Sequence, residues 1–326
     1  MTGAMVVLEG TRFMAGAGGE LVALKTVVLR AVVNARAENT RLAYAGDWTR
    51  FVAWCGAHGL EALPASPETV TLYLAALAEG GKANATRDRA LVSIAREHTA
   101  AGLATPTTAE AVTATAAGLR RENVRSQRRA ADATIPMLRA ASMAMGDDLT
   151  GLRNRALLLL GFAGGFRRSE LVSLDVADLV FGDDGITATV RRSKTDQTGK
   201  GFLKPIPYGS HPATCPVRAV KAWLAATGLE AGPLFRDVRG GKVGEDALCD
   251  RTVARVVKAA ATTAGLDDAA FSGHSLRAGL VTTAYRAGKS LDSIMATTGH
   301  KNVQTVMGYV RRASLFDNAA AAGIGL

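Results

Sequence analysis

The sequence predicts two domains, an all-α domain followed by a mainly α domain that carries a small antiparallel β-sheet. Three observations lead there. Helical periodicity runs from about residue 20 to residue 122 without a strand pattern. A stretch with five arginines and almost no apolar residues, LRRENVRSQRRAADATIP, then interrupts the chain. Beyond it, ITATVR and FLKPIPY flank the polar SKTDQTGKG in sequence that is otherwise helical, the pattern of a β-hairpin. A chain of 326 residues has room for two cores of ordinary size.

Taken in order, residues 1–20 are rich in Gly, Ala and Met without clear periodicity and read as a loose tail. Residues 21–122 form the helical domain. Tyr44, Trp48, Phe51, Val52 and Cys55 fall at the spacing of an amphipathic stripe. Ser66-Pro67-Glu68 supplies an N-cap, a proline at the first helical position and an early acid, so a second helix starts there. Asn84 or Thr86 is placed to cap a third, reaching about Ala101, and a fourth covers Thr108 to Arg121. Residues 123–134 read as an exposed basic linker, and 135–326 as the second domain. There the consecutive leucines 157 to 160 predict a helix buried on all sides. After the hairpin the chain reads as helical again. Helices open near Cys215-Pro216 and Cys249-Asp250, then cover His274–Ala287, Ser290–Thr297 and Asn302–Val310.

Composition narrows the function. The formal net charge is +10 and the pI is near 9.8, which suits a polyanionic partner. Cys55, Cys215 and Cys249 are far apart and lack metal-site spacing, as expected of buried thiols in a reducing compartment. The N-terminus lacks a signal-peptide pattern, and the most apolar run, Ala156 to Phe166, is too short to span a bilayer. These features predict a soluble cytoplasmic protein with no membrane role.

Five segments of the second half carry groups suited to phosphoryl transfer: GGFRRSEL (Arg167, Glu170), RRSKTD (Lys194), SGHSLR (His274, Arg277), TGHKN (His300) and VMGYV (Tyr309). Arginines, a lysine and histidines can neutralise a phosphate and move protons around it, and a tyrosine can attack it. No metal-ligand cluster or Gly-rich nucleotide loop accompanies them, so neither a metal nor a nucleotide cofactor is expected. A phosphodiester in nucleic acid is the natural substrate. Arg167 follows a buried helix through two glycines, which puts a fixed charge at the end of a rigid element. Glu170 reads either as an acid favoured at a helix N-terminus or as a group orienting a neighbouring arginine or histidine. His274 and Arg277, three apart, share one helical face. Val303, Val306, Met307 and Val310 form the buried stripe of the last helix, and Tyr309 projects roughly 110° away from it.

In this order, GFRRSEL, a hairpin lysine, HxxR, GH and a tyrosine nine residues further on resemble the tyrosine recombinase (phage integrase) family. NTRLAYAGDWTRFVAWC is similar to the opening helix of that family's N-terminal core-binding domain. LRREN and SGHSLRAG through MGYVRR look particularly like its Cre recombinase branch. The resemblance implies a SAM-like helical core-binding domain and a catalytic domain of the DNA breaking-rejoining fold. Tyr309 would be the nucleophile, giving a 3′-phosphotyrosine and a free 5′-hydroxyl, with His274 as its general base. Arg167, Arg277 and His300 would hold the phosphate. Lys194, preferred to Lys200 because SKT matches the family's position, would protonate the leaving oxygen.

The resemblance also implies duplex DNA with an inverted-repeat site as partner, a homotetramer on that DNA, and nucleoid association; an accessory directionality protein is left open. LCDRTVARVVKAA resembles the helix that enters the major groove, which makes Arg251 the candidate for a base contact. Arg41, Lys82, Arg87, Arg121 and Arg125 are candidates for phosphate contacts. Two other readings use the same residues, a strand-nicking enzyme of the type IB topoisomerase class and a DNA-binding regulator without catalysis.

Overall fold

In a computed structural model of the chain, residues 38–122, 130–191 and 201–313 are described, together with 7–8, 11–12, 24 and 27. The chain divides into two compact units, Met1–Gln127 and Arg128–Leu326.

The first unit holds helices α1 (Glu38–Ala57), α2 (Pro67–Glu79), α3 (Asn84–Ala100) and α4 (Glu110–Glu122). The start of α2 is chemically determined: Ser66 Oγ accepts from the Thr69 N–H at 3.1 Å, and Pro67, which has no N–H to satisfy, takes the first helical position. The third helix departs from expectation. Ala83 holds its cap position and gives no side-chain hydrogen bond, while Asn84 turns to accept from Arg87. On α1 the stripe closes on Phe51 and Cys55, with Tyr44 and Trp48 partly buried, but Val52 is 42% exposed. It lies at the edge of the arc that faces the core, which holds Val70, Tyr73, Leu74, Ala90, Ile94 and Val112. A two-residue antiparallel pairing, Val7–Leu8 with Thr11–Arg12, occurs where a loose tail was expected.

The basic linker falls largely outside the described residues. Its last part is packed rather than exposed, because the Ala131 and Ala133 N–H groups donate to the carbonyls of Ala270 (2.7 Å) and Ser275 (3.0 Å). In the second unit α5 (Ile135–Ala144) leads into α6 (Leu149–Ala163), capped by Asp148, whose Oδ1 accepts from the Gly151 N–H at 2.8 Å. Leucines 157 to 160 are all buried, and α6 packs against α8 (Pro216–Thr227) and α10 (Ser275–Arg286).

Between α6 and α8 come the short α7 (Arg168–Val172) and an antiparallel sheet in the order β1 (Leu179–Phe181), β2 (Gly185–Val190), β3 (Phe202–Pro207). The hairpin of β2 and β3 is the expected one, with Ile186 opposite Ile206 and Ala188 opposite Lys204. Two features escaped the sequence reading. Strand β1 adds a third member to the sheet. A second hairpin, β4 (Arg236–Arg239) with β5 (Lys242–Ala247), turns on Gly240 and Gly241 at φ +55° and +72°. Consecutive glycines with positive φ match the twist of a two-residue hairpin, so that signal was present in the sequence.

Helix α9 (Asp250–Thr263) begins after Cys249, which is exposed at the cap position rather than buried like Cys55 and Cys215. Helices α10, α11 (Leu291–Thr298) and α12 (Val303–Ala313) enclose a separate small core of Val281, Ile294, Val306 and Val310. Val303, expected on the buried stripe, is exposed at the first turn of α12.

Candidate active site

The site is assembled where α6, α10 and α11 end or begin. After α6 the chain turns through Gly164 and Gly165. Gly165 has φ +54°, and a Cβ there would come within 2.9 Å of both Leu280 Cδ2 and Thr298 Cγ2. Only glycine meets both demands. The turn delivers Arg167 to the cap position of α7. Glu170, almost fully buried, accepts from the Arg167 backbone N–H at 3.0 Å and from its guanidinium Nη1. Both readings of this carboxylate therefore hold, since it caps the helix and also fixes the neighbouring arginine.

The SGHS turn sets the next pair. The Ser272 N–H donates to Ser275 Oγ at 3.0 Å, and the His274 N–H donates to Ser272 Oγ at 3.1 Å. His274 thus stands at the cap of α10 while Arg277 enters its first turn. The two do not share an outer face as the spacing suggested. Arg277 is 1% exposed, and its Nη1 donates to the carbonyls of Gly165 (2.9 Å) and Thr298 (2.5 Å). Carbonyls at helix ends lack intrahelical donors, and a buried guanidinium satisfies two of them at once. Its Nη2 is buried and has no hydrogen-bond partner among the described residues.

Helix α11 ends in a left-handed cap at Gly299, φ +69°, where a Cβ would meet the Phe202 ring at 2.9 Å. Next along the chain, His300 Nδ1 lies 2.7 Å from Thr298 Oγ1. On α12 Tyr309 packs at the edge of the small core, and its hydroxyl leaves that core to reach His274 Nε2 at 2.5 Å. The His300 and Tyr309 ring centroids are 6.2 Å apart.

Burial first, and crowded cations after it, set the protonation states. Burial, then Arg277, Arg167 and Arg168, hold His274 below its ordinary value, with Asp132 opposing them. Burial, then Arg277 and Arg167, push His300 down to about 3. Burial, then Arg167, lowers Arg277 to about 10, which leaves it charged at neutral pH. Both imidazoles are therefore neutral there, and His274 Nε2 can take the proton of the phenol it touches. An arginine edge with a spare buried donor, beside a phenol with a proton acceptor, is a ready host for a phosphate under nucleophilic attack.

Arg167, Glu170, His274, Arg277, His300 and Tyr309 are thus brought together. Lys194, its rival Lys200, and Arg125 lie outside the described residues. Arg251 is exposed at the start of α9. In the first unit Lys82 and Arg121 are exposed, and Arg41 is partly buried. Arg87 is no surface charge: it is 4% exposed, and its Nη2 donates to the Leu119 carbonyl at 3.0 Å, which ties α3 to α4. Among the described residues no three His, Cys, Asp or Glu side chains converge as a metal-holding group, and no helix is long and apolar enough to cross a membrane.

The sequence reading missed Thr298, which orients His300, and Lys204, whose ammonium is wholly buried beside the same turns. For Lys204 a signal existed, because in FLKPIPY it shares the strand phase of Ile206.

Comparison with known proteins supplies the family. Residues 135–314 match the phage integrase family. A Selenomonas ruminantium protein named integrase/recombinase xerD homolog is 40% identical over 296 residues, spanning 89% of this chain and 86% of its own length. Recombinase cre of Escherichia phage P1 is 28% identical over 282 residues, 80% of each chain. A lambda integrase dimer bound to a core site superposes with a TM-score of 0.58 at 19% identity, over 89% of this chain and 93% of that one, which is a likeness of fold. On the family match and the xerD-like relative, the chain belongs to the phage integrase family, the tyrosine-type site-specific recombinases.

Proposed function

We propose that this recombinase cuts and rejoins duplex DNA through a 3′-phosphotyrosyl intermediate on Tyr309, using neither ATP nor a metal ion. The observation that carries the reading is the 2.5 Å contact of the Tyr309 hydroxyl with His274 Nε2, next to a buried arginine with a spare donor. Arg277 Nη2 and Arg167 hold the non-bridging oxygens of the scissile phosphate, matching planar guanidinium to phosphate geometry. The Thr298 hydroxyl donates to the Ile294 carbonyl, so the one N–H of neutral His300 is held by Thr298 Oγ1, and His300 adds a hydrogen bond to the phosphate only when its Nε2 takes up a proton. Tyr309 Oη attacks phosphorus while its proton passes to His274 Nε2. A phenol with a pKa near 10 needs such a base at neutral pH. The P–O bond to the 5′-oxygen breaks, and Lys194 supplies that oxygen with a proton. The phosphotyrosyl ester conserves the bond, so a 5′-hydroxyl from a second duplex reseals it by the reverse path.

Residues 21–122 act as the core-binding domain, 123–134 as a basic linker and 135–326 as the catalytic domain. Arg251 reads a base edge in the major groove, and Lys82, Arg121 and Arg125 contact backbone phosphates. Exchange between two duplexes takes four active sites, hence a homotetramer on an inverted-repeat site, within the cytoplasm at the nucleoid.

The test uses DNA recovered from the protein by selection and nicked beside the scissile phosphate, so that cleavage becomes irreversible. Wild type is expected to give a denaturation-resistant adduct in the presence of a metal chelator and without ATP, and Tyr309→Phe none. Tight binding without adduct would sink the enzymatic reading. An adduct formed by a protein that stays monomeric on DNA would replace strand exchange with nicking.

A further inference from the structure

Lys204 is a fully buried lysine, 0% exposed, on a strand that otherwise turns apolar groups inward. Burial of its ammonium is costly, and together with Arg277 and Arg167 it pushes the pKa down to about 7, against the pull of Glu170. A methionine or isoleucine would fill the same space without that cost, so the charge needs a reason.

The contacts supply one. Lys204 Nζ donates to the Gly164 carbonyl at 2.6 Å and to the Thr297 carbonyl at 2.7 Å. It also lies 4.8 Å and 4.9 Å from the ring centroids of Phe166 and Phe202. Arg277 binds the next carbonyl in each turn, Gly165 and Thr298. Two cations from different elements, β3 and α10, therefore close the same two helix ends. One turn leads within three residues to Arg167 and the other to His300. Removing Arg277 would also remove the unanswered donor Nη2, whereas Lys204 Nζ is engaged by two carbonyls and lies against two aromatic rings.

Resting on the function proposed above, we infer that Lys204 is a positioning residue that ties the Arg167 turn to the His300 turn and so sets the spacing of the phosphate pocket. It acts through these two residues and is distinct from the proton donor to the leaving oxygen.

Single-turnover cleavage tests this on two nicked substrates, the ordinary phosphodiester and one with sulfur at the 5′-bridging position, since a thiolate leaves without a proton. Wild type must form adduct on both; if it does not, the functional reading itself fails. Lys194→Met is expected to be slow on oxygen and restored on sulfur. Lys204→Met is expected to lose about 100-fold on both, with DNA affinity within about twofold of wild type, as for a misplacement near 1 Å. Restoration of Lys204→Met by sulfur would make Lys204 the proton donor and overturn the inference, as would wild-type rates on both substrates. Should Lys204→Met fail to fold, Lys204→Arg keeps charge and donors. It is then expected to fold and to be slow on both substrates, and wild-type rates from it would overturn the inference equally.

Discussion

Both units of this protein bury charge, and they do so with different outcomes. In the first, Asp47 on α1 is 2% exposed and is held by Arg89 of α3 and by Arg50 on its own helix. His98 is fully buried, yet its Nε2 accepts from the Ala65 N–H at 2.9 Å and its Nδ1 meets the Ile94 carbonyl at 2.8 Å. These groups answer one another and hold helices and loops in place. Single buried donors of Arg41 and Arg87 in the first unit also lack partners among the described residues, but in the second Arg167, Lys204, His274, Arg277 and His300 share one region with Glu170, and the unanswered donor of Arg277 lies among them. A buried network that closes on itself is structural. One that gathers a positive surplus at a turn is prepared for an anion, and it holds its imidazoles neutral in the free protein.

The contrast breaks most sharply at Arg277. Arg277→Ala is expected to lower the rate of adduct formation about 1,000-fold or more, because it removes a phosphate donor and the bond between two turns. Quantifying trapped adduct over time checks this. A fall below tenfold would mean that the surplus charge is incidental.

Next comes the pH profile. His274 is held below its ordinary 6.5, so the base form persists as pH falls through neutrality. Adduct formation at subsaturating DNA is expected to lose activity on the acid side only below pH 6.5, by about tenfold per unit. An acid limb centred at or above 6.5 would contradict the burial of His274 and the surplus of charge around it.

In the first unit, Asp47→Asn is expected to cost about 1–3 kcal/mol of stability in urea unfolding while leaving cleavage by folded protein intact. Burial alone would raise the Asp47 pKa, but the hydrogen bonds from Arg89 and Arg50 outweigh it and hold the group below 3.8. The unfolded chain therefore takes up this proton first. The Asp47 contribution is fully present above pH 3.8 and is lost as pH falls through the folded value, so the variant's deficit should shrink in acid. At the small end, Arg120→Ala is expected to change stability by about 0.5 kcal/mol or less. Its pairing with Asp88 is half exposed on both sides and screened by water.

What was legible in the sequence follows the range of the forces involved. Local chemistry announced itself: the Ser66 cap, the glycines before Arg167 and the leucine helix all depend on neighbours within one turn. The order of the site motifs was equally readable, because each lies on a short segment whose residue types are distinctive. Arg87 looked like a surface charge, since nothing nearby reveals that the carbonyl of Leu119, thirty-two positions away, would accept from it. Lys204 was readable in part, since sharing the strand phase of Ile206 marked it as inward-facing, but what it binds was not. Its partners, Gly164 and Thr297, come from elements forty and ninety-three residues distant, and only tertiary packing brings them to one ammonium. The hairpin at Gly240 and Gly241 was different, a local signal overlooked among helices.

The proposed chemistry turns on whether Tyr309 carries the DNA. Digesting the trapped adduct with nuclease and protease, then sequencing the modified peptide by mass spectrometry, tests it most directly. The expected product is a nucleotide joined through its 3′-phosphate to the tyrosine of the peptide containing Met307 to Val310. Attachment at Tyr285, Tyr208 or any serine would contradict it.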